Sequence, residues 1–488
     1  MNMLLKNWAD HDPRITGGPP ASLDPQDWGA LRQLGHRMLD DMFDQVEHIR
    51  TGPVWRPMPP ATRAVLQAGL PMEGLTPEQV YDRFLDHVAP YATGNRHPGF
   101  MGWVHGGGTP MGMLAEMLAA GLNANLGGRD HAPVAVERQV IAWSAELLEM
   151  PRETSGLVVT GTSTANLIGV LVARRAALGE EVRRHGPDGA RLTAYTSARA
   201  HGCLARAMDI AGLGTEALRM VPVDREHRMN LAALEAMLQR DRASGFEPFL
   251  IAGTAGTVDI GATDDLEALA AIAAREGIWF HVDGAFGALS ALSPTLRPLL
   301  AGIEQADSVA LDFHKWMQVP YDAACVLVRD PARHLETFSQ DVAYLRRTAR
   351  GLAAGAPWPC DLGPELSRGF RALKVWMTWQ VFGTERLGAT VAQTCDLARV
   401  LAARVDREPL LQRVAPVPLN IVCFTLRGAD DDMIRDLVAD VQETGLAAPS
   451  TTVIDGRLVI RAAIVNHRTT RDEIDRLVET VLHLAGCH

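Results

Sequence analysis

Residues 278–316 read IWFHVDGAFGALSALSPTLRPLLAGIEQADSVALDFHKW. Two short apolar runs, Ile278–Val282 and Ser308–Leu311, are each followed closely by residues with chemistry: Asp283 after the first, His314-Lys315-Trp316 after the second. Such runs read as buried strands. The 32 positions between Asp283 and Lys315 are about one strand–helix unit, so both residues fall at the same edge of one sheet, on neighbouring strand ends. A lysine hemmed in by His and Trp is poorly solvated. Partial burial favours the neutral amine, which forms a Schiff base with an aldehyde. A carboxylate between small residues can approach the nitrogen of a flat heterocycle and hold it protonated. Singly, the lysine also reads as a surface residue at a loop start, and the aspartate as a helix cap or metal ligand. The pair is far more specific than either.

Upstream, Leu157–Thr160, Leu192–Thr196, Leu218–Val223 and Phe249–Thr254 are further strand candidates. Between them lie helical patterns such as Ser163–Leu178 and Leu266–Arg275, the second placed for capping by Asp264 and Asp265 and stopped by Gly277. The alternation predicts an α/β fold with a mostly parallel sheet and flanking helices, binding its ligand beyond the carboxyl ends of the strands. After a polar, glycine-rich stretch at 339–364, helices are expected from Ser367 to about Ala403. A small α+β unit follows, with strands near Val422–Leu426 and Leu458–Ile464. The first 94 residues hold an amphipathic helix, Trp28–Ile49, then the breakers Pro57, Pro59 and Pro60, and show no strand pattern. The expected organisation is a helical segment over 1–94 draped on another subunit, a large domain over 95–372 and a small domain over 373–488.

Composition narrows the function. A net charge of −11 and a pI near 5.8 argue against a nucleic-acid partner. Six cysteines without a CxxC pair argue against a disulfide framework or a zinc site, and fit a reducing cytosol. No run of ~18 apolar residues predicts a membrane span, and no metal is expected.

Three further motifs fall at strand ends. Gly161-Thr162-Ser163-Thr164-Ala165-Asn166 lies between a strand and a helix, where free N–H groups and three hydroxyls suit a phosphate, or a plain N-cap. No GKS or GKT follows, so it is not a Walker loop. His201 follows another strand and can stack on a planar ring or serve as an ordinary polar residue. Gly253–Val258 would let a ring pass close to the backbone.

A protonated ring nitrogen, an imine-forming amine, a phosphate cradle and a stacking imidazole are the four needs of pyridoxal 5′-phosphate. From about residue 80 onward the chain resembles the group II pyridoxal-phosphate-dependent decarboxylases, which include aromatic-L-amino-acid decarboxylase. The ordered motifs are His97-Pro98-Gly99-Phe100, Gly161–Asn166, Ala255–Asp264, His281–Ala285, His314-Lys315-Trp316 and Arg371–Trp376. The resemblance implies the type I, aspartate-aminotransferase-like fold and a homodimer with shared active sites in the cytoplasm. It further implies that Lys315 carries the cofactor as an imine, Asp283 pairs with the ring nitrogen, His201 stacks on one ring face and Ala285 packs on the other. Thr162, Ser163, Thr164 and His314 would hold the phosphate, with Asp312 nearby. Tyr344 matches a tyrosine on a mobile catalytic loop, a proton donor to Cα where phenylalanine goes with aldehyde formation. Arg368 and Arg371 match bracing arginines. Phe100, Trp103 and Arg368 are the substrate candidates, the first two suggesting an aromatic amino acid. Gly202, Arg206, Gly284, Phe313 and Val258 depart from the family pattern.

The implied activity is decarboxylation of an L-amino acid, most simply an aromatic one, to an amine and CO₂. An aldehyde synthase or another lyase on the same fold is the near alternative. A serine esterase is the distant one, because His105-Gly106-Gly107-Gly108 looks like an oxyanion motif; the elbow it needs ends in Ala165 instead of glycine.

Overall fold

In the computed structural model, which describes residues 22–340 and 346–486, the strands fall into two sheets. In chain order they are β1 (Phe100–Met101), β2 (Ser155–Val159), β3 (Leu192–Ser197), β4 (Leu218–Val221), β5 (Glu247–Thr254), β6 (Trp279–Asp283), β7 (Ser308–Asp312), β8 (Ala324–Val328), β9 (Leu411–Arg413), β10 (Ile421–Leu426), β11 (Ala448–Ile454) and β12 (Arg457–Ala463).

The larger sheet has the order β2-β8-β7-β6-β5-β3-β4. From β7 through β4 the pairs are parallel, as the strand–helix alternation predicts. β6, β7 and β8 are buried at every position, because helices cover both faces and the strands are therefore apolar throughout. The sequence reading did not anticipate β8, which runs antiparallel to both β7 and β2. The link at 313–323 is too short for a crossover helix, so the chain doubles straight back. The consequence is local: the His314-Lys315-Trp316 triplet sits in the turn between two paired, buried strands.

Helix Leu266–Glu276 is capped by Asp265, which accepts from Ala268 N–H, and ends at Gly277 in the left-handed region (φ +68). Asp264 does not share the capping. Its carboxylate accepts from Met229 N–H at 2.6 Å and Thr254 N–H at 2.8 Å, and burial pushes its pKa up to about 6. It thereby ties the end of β5 to the segment before helix Leu231–Ala243.

The second sheet has the order β1-β11-β12-β10-β9. Its first strand is only two residues long and pairs in parallel with Ala448–Pro449, a partner too distant in sequence to leave any local pattern. Helices Ala372–Arg407, Asp431–Glu443 and Arg471–Ala485 pack on this sheet around Phe424, Ile434, Leu437, Ile460 and Leu477. The first of them is interrupted at Gly383 (φ +67).

Residues 22–47 and 62–90 belong to a separate compact unit. It contains helices Trp28–Glu47 and Pro77–His87. Thr76 and Gln79 form a capping box at the start of the second, and the Tyr81 hydroxyl donates to Asp41 at 2.6 Å. Among its described residues only Leu34, Thr62 and Tyr81 are buried, and none lies in a strand.

The Gly106–Gly108 run fixes the height of the lysine turn. A Cβ on Gly106 would fall on the carbonyl oxygens of His314 and Lys315, and one on Gly107 would stand 2.7 Å from the Asn466 side chain. Gly106→Ala is therefore expected to destabilise the protein by about 1–3 kcal/mol through overpacking. Gly121→Ala, in a helix with nothing within 4 Å, should be neutral or slightly stabilising. Chemical denaturation of the two variants side by side checks this, and equal stability would contradict the packing account.

Candidate active site

β7 ends at Asp312, whose buried carboxylate organises the turn. Lys315 Nζ lies 2.7 Å from Asp312 Oδ2. Asp312 Oδ1 also accepts from Thr162 N–H at 2.8 Å, and Oδ2 from the Thr162 hydroxyl at 3.0 Å. Thr162 opens helix Thr162–Leu178, and the positive end of a helix favours a carboxylate. One carboxylate thus joins the lysine to the phosphate-type motif. Next to it, His314 Nδ1 accepts from Ala323 N–H at 3.1 Å, which leaves Nε2 as a donor, 3.7 Å from Asp312 Oδ2. Burial pushes the His314 imidazole below its ordinary pKa. Phe313 and Trp316 anchor the turn from behind; both are buried, and the Trp316 indole donates to Thr394 Oγ1 at 2.9 Å.

Asp283 ends β6, opposite Ala310 of β7. Asp312 lies two residues further along that neighbouring strand and therefore on the same face. Asp283 Oδ2 accepts from the Asn166 amide at 3.0 Å and stands 3.7 Å from Cys203 Sγ, while Oδ1 accepts from Ala285 N–H at 3.2 Å. Ala285 in turn accepts from Asp312 N–H at 3.0 Å, so one residue spaces the two aspartates. His201 is exposed, and its Nδ1 accepts from Cys203 N–H at 3.2 Å. The Cys203 thiol is pushed up to about 12 by burial and by Asp283, so it stays neutral beside the carboxylate.

The residues suit pyridoxal phosphate. The site offers a buried carboxylate at Asp283, a lysine amine at Lys315 and hydroxyls at the start of helix Thr162–Leu178. Thr254 ends β5 at the register of Asp283, and its buried hydroxyl has no hydrogen-bond partner. Thr162, however, gives both its N–H and its hydroxyl to Asp312. The groups left for a phosphate on that motif are Ser163 and Thr164, the second within 3.2 Å of Thr160 Oγ1.

The other expected residues divide. Phe100, the half-exposed Trp103 and His105 form a cluster of rings with centroids 5.7–6.2 Å apart, and His105 continues through Tyr321 to His314 in the lysine turn at 5.6 and 4.4 Å. Arg368 points elsewhere. Its guanidinium is buried against Glu137 and donates to the carbonyls of Leu126 and Val158, a brace for β2 instead of a group presented to substrate. Arg371 pairs with Asp322 at 2.9 Å, beside the lysine turn. Tyr344 lies outside the described residues.

The Gly106 and Gly107 N–H groups are taken. They donate to His314 O at 3.2 Å and to Gln318 Oε1 at 2.9 Å, which leaves neither for an oxyanion and removes the esterase reading. Sequence reasoning assigned no role to Asn166, His281 or Tyr321. The first two were visible only as motif members, because their partners lie on other strands.

A domain described as the pyridoxal-dependent decarboxylase conserved domain matches residues 59–427. The chain is 31% identical to an aromatic-L-amino-acid decarboxylase of Bacillus atrophaeus over 93% of this chain and 95% of that one. It is 29% identical to a phenylacetaldehyde synthase of Arabidopsis thaliana over 92% and 94%. Among solved structures, Oryza sativa TDC with PLP and tryptamine superposes with a TM-score of 0.85 at 24% identity, over 95% of this chain and 100% of that one. The chain belongs to the pyridoxal-dependent decarboxylases and is a pyridoxal-phosphate-dependent amino-acid decarboxylase.

Proposed function

We propose that the substrate is an aromatic L-amino acid, released as its amine and CO₂. The observation that carries this reading is the aromatic cluster of Phe100, Trp103 and His105, which continues through Tyr321 to His314 beside Lys315. Stacked rings recognise a planar side chain. The aromatic-L-amino-acid decarboxylase among the relatives supports the same choice.

When bound, pyridoxal phosphate supplies the electron sink that accepts the pair left as CO₂ departs. Lys315 holds the cofactor, with Asp312 orienting its amine from 2.7 Å. Asp283 would keep a proton at the ring nitrogen, and Ala285 would pack against the ring. Ser163, Thr164 and the His314 Nε2–H bind the phosphate, with Thr162 acting through Asp312. His201 would stack on the cofactor and grip the substrate carboxylate, orienting the bond to be broken. Tyr344 would return a proton to Cα.

An aldehyde-forming reaction is the second reading, favoured by the phenylacetaldehyde synthase relative. Tyrosine at position 344, where phenylalanine goes with that chemistry, favours the plain amine. We further propose a homodimer in the cytosol. The unit at 22–47 and 62–90 buries only three of its described residues, too few for a core of its own. No helix among the described residues is long and apolar enough to cross a membrane.

Three outcomes are expected. In a panel followed by CO₂ release, tryptophan, tyrosine or phenylalanine should turn over faster than glutamate; the reverse order would overturn the aromatic assignment. Tyr344→Phe should suppress amine formation by about 10²-fold or more, the scale of a lost general acid, with cofactor binding intact. Undiminished amine yield would remove Tyr344 from proton delivery. Analytical ultracentrifugation should give a dimer of the 52.9 kDa chain, and a fully active monomer would refute shared sites.

A further inference from the structure

A chain of buried hydrogen bonds runs behind Asp283. The Trp279 indole N–H lies 2.8 Å from Ser308 Oγ, Ser308 Oγ 2.8 Å from His281 Nδ1, His281 Nε2 2.8 Å from Asn166 Oδ1, and Asn166 Nδ2 3.0 Å from Asp283 Oδ2. Its direction follows from its last member. A carboxylate only accepts, so the Asn166 NH₂ faces Asp283 and the Asn166 carbonyl accepts from His281 Nε2–H. With the imidazole proton on Nε2, Nδ1 accepts from the Ser308 hydroxyl, which itself accepts from the Trp279 indole. Burial pushes His281 down to about 4, so the ring is neutral and the tautomer holds at neutral pH. Ser308, His281 and Asn166 are each fully buried.

Space has been left for it. A Cβ on Gly169 would stand 2.9 Å from His281 Nδ1 and 3.4 Å from Ser308 Oγ. Helix Thr162–Leu178 can therefore lie against the imidazole only because position 169 is glycine. The same helix carries Thr162, which bonds Asp312, and one turn later Asn166, which bonds Asp283. It references both carboxylates to one rigid element.

We propose that Asn166 and His281 are positioning residues for the cofactor's ring nitrogen: they hold the Asp283 carboxylate at one angle and depth, so that its remaining lone pairs face the ring. This rests on the reading of Asp283 as the partner of that nitrogen. A side chain that is free to rotate would lose part of the hydrogen bond to the ring, whereas one held from behind is pre-organised.

The experiment compares two cofactors on the full-length protein, pyridoxal phosphate and its 1-deaza analogue, in which carbon replaces the ring nitrogen. Dissociation constants are measured by equilibrium dialysis for the parent protein, Asp283→Ala, Asn166→Leu and Ser308→Ala, with thermal melts of the cofactor-free proteins as a folding control. Asn166→Leu should weaken pyridoxal phosphate by about tenfold or more, the scale of a hydrogen bond to a charged group, and leave the deaza analogue within about twofold, since the analogue makes no bond for the chain to position. Ser308→Ala breaks the chain two links away and should show the same selectivity at smaller size; it decides the question if the leucine variant does not fold. Equal weakening of both cofactors, or weakening of neither, overturns the proposal while a selective loss in Asp283→Ala leaves the aspartate reading standing. Loss of selectivity in Asp283→Ala itself overturns both.

Discussion

The Asp312 carboxylate is the joint on which the site depends. It is buried, it bonds the Lys315 amine, and it accepts two bonds from Thr162 at the start of a helix. A buried carboxylate is costly unless each of its oxygens is satisfied. Here the satisfaction comes from the two groups whose relative placement matters, so the lysine cannot shift without leaving Asp312 short of a partner. The antiparallel return of β8 makes the arrangement rigid, because it pins both ends of the turn into one sheet.

A second constraint is backbone approach. Gly106 meets the carbonyls of His314 and Lys315, Gly107 meets Asn466, and Gly169 meets His281. At each place a helix or loop comes within contact distance of the site's framework, where no larger residue fits. The apparent oxyanion motif is therefore a packing device. Its N–H groups are spent on His314 O and on Gln318, and its carbonyls at Gly107 and Gly108 accept from Arg468.

The second sheet is tied to the first through arginines. Arg461, on β12, is buried and donates to the carbonyls of Val258 and Asp259 just beyond β5, and to that of Trp103. Arg199 reaches Val453 O and lies 3.7 Å from the Asp259 carboxylate. The segment after β5 is thus held by its main-chain carbonyls and does not rely on the side chain of Val258. Trp103 takes its place in the aromatic cluster through the same guanidinium.

Much of this was written in the linear pattern. Parallel strands buried on both faces announce themselves as unbroken apolar runs, and chemistry at their carboxyl ends follows from how such sheets are built. Asp283, Lys315 and the Gly161–Asn166 motif were legible for that reason. What the pattern left undecided was every feature set by a distant partner. β8 reverses because a short link forbids a crossover. β1 exists only through pairing with Ala448–Pro449. Asp264 serves two main-chain amides where a cap was expected, Thr162 serves Asp312, and Arg368 serves Glu137. The sequence alone determined which groups exist and on which strand ends they stand. The tertiary structure decided which polar atom each group spends its hydrogen bonds on, because burial forces every donor and acceptor to find a partner, and that partner is chosen by space and not by spacing along the chain.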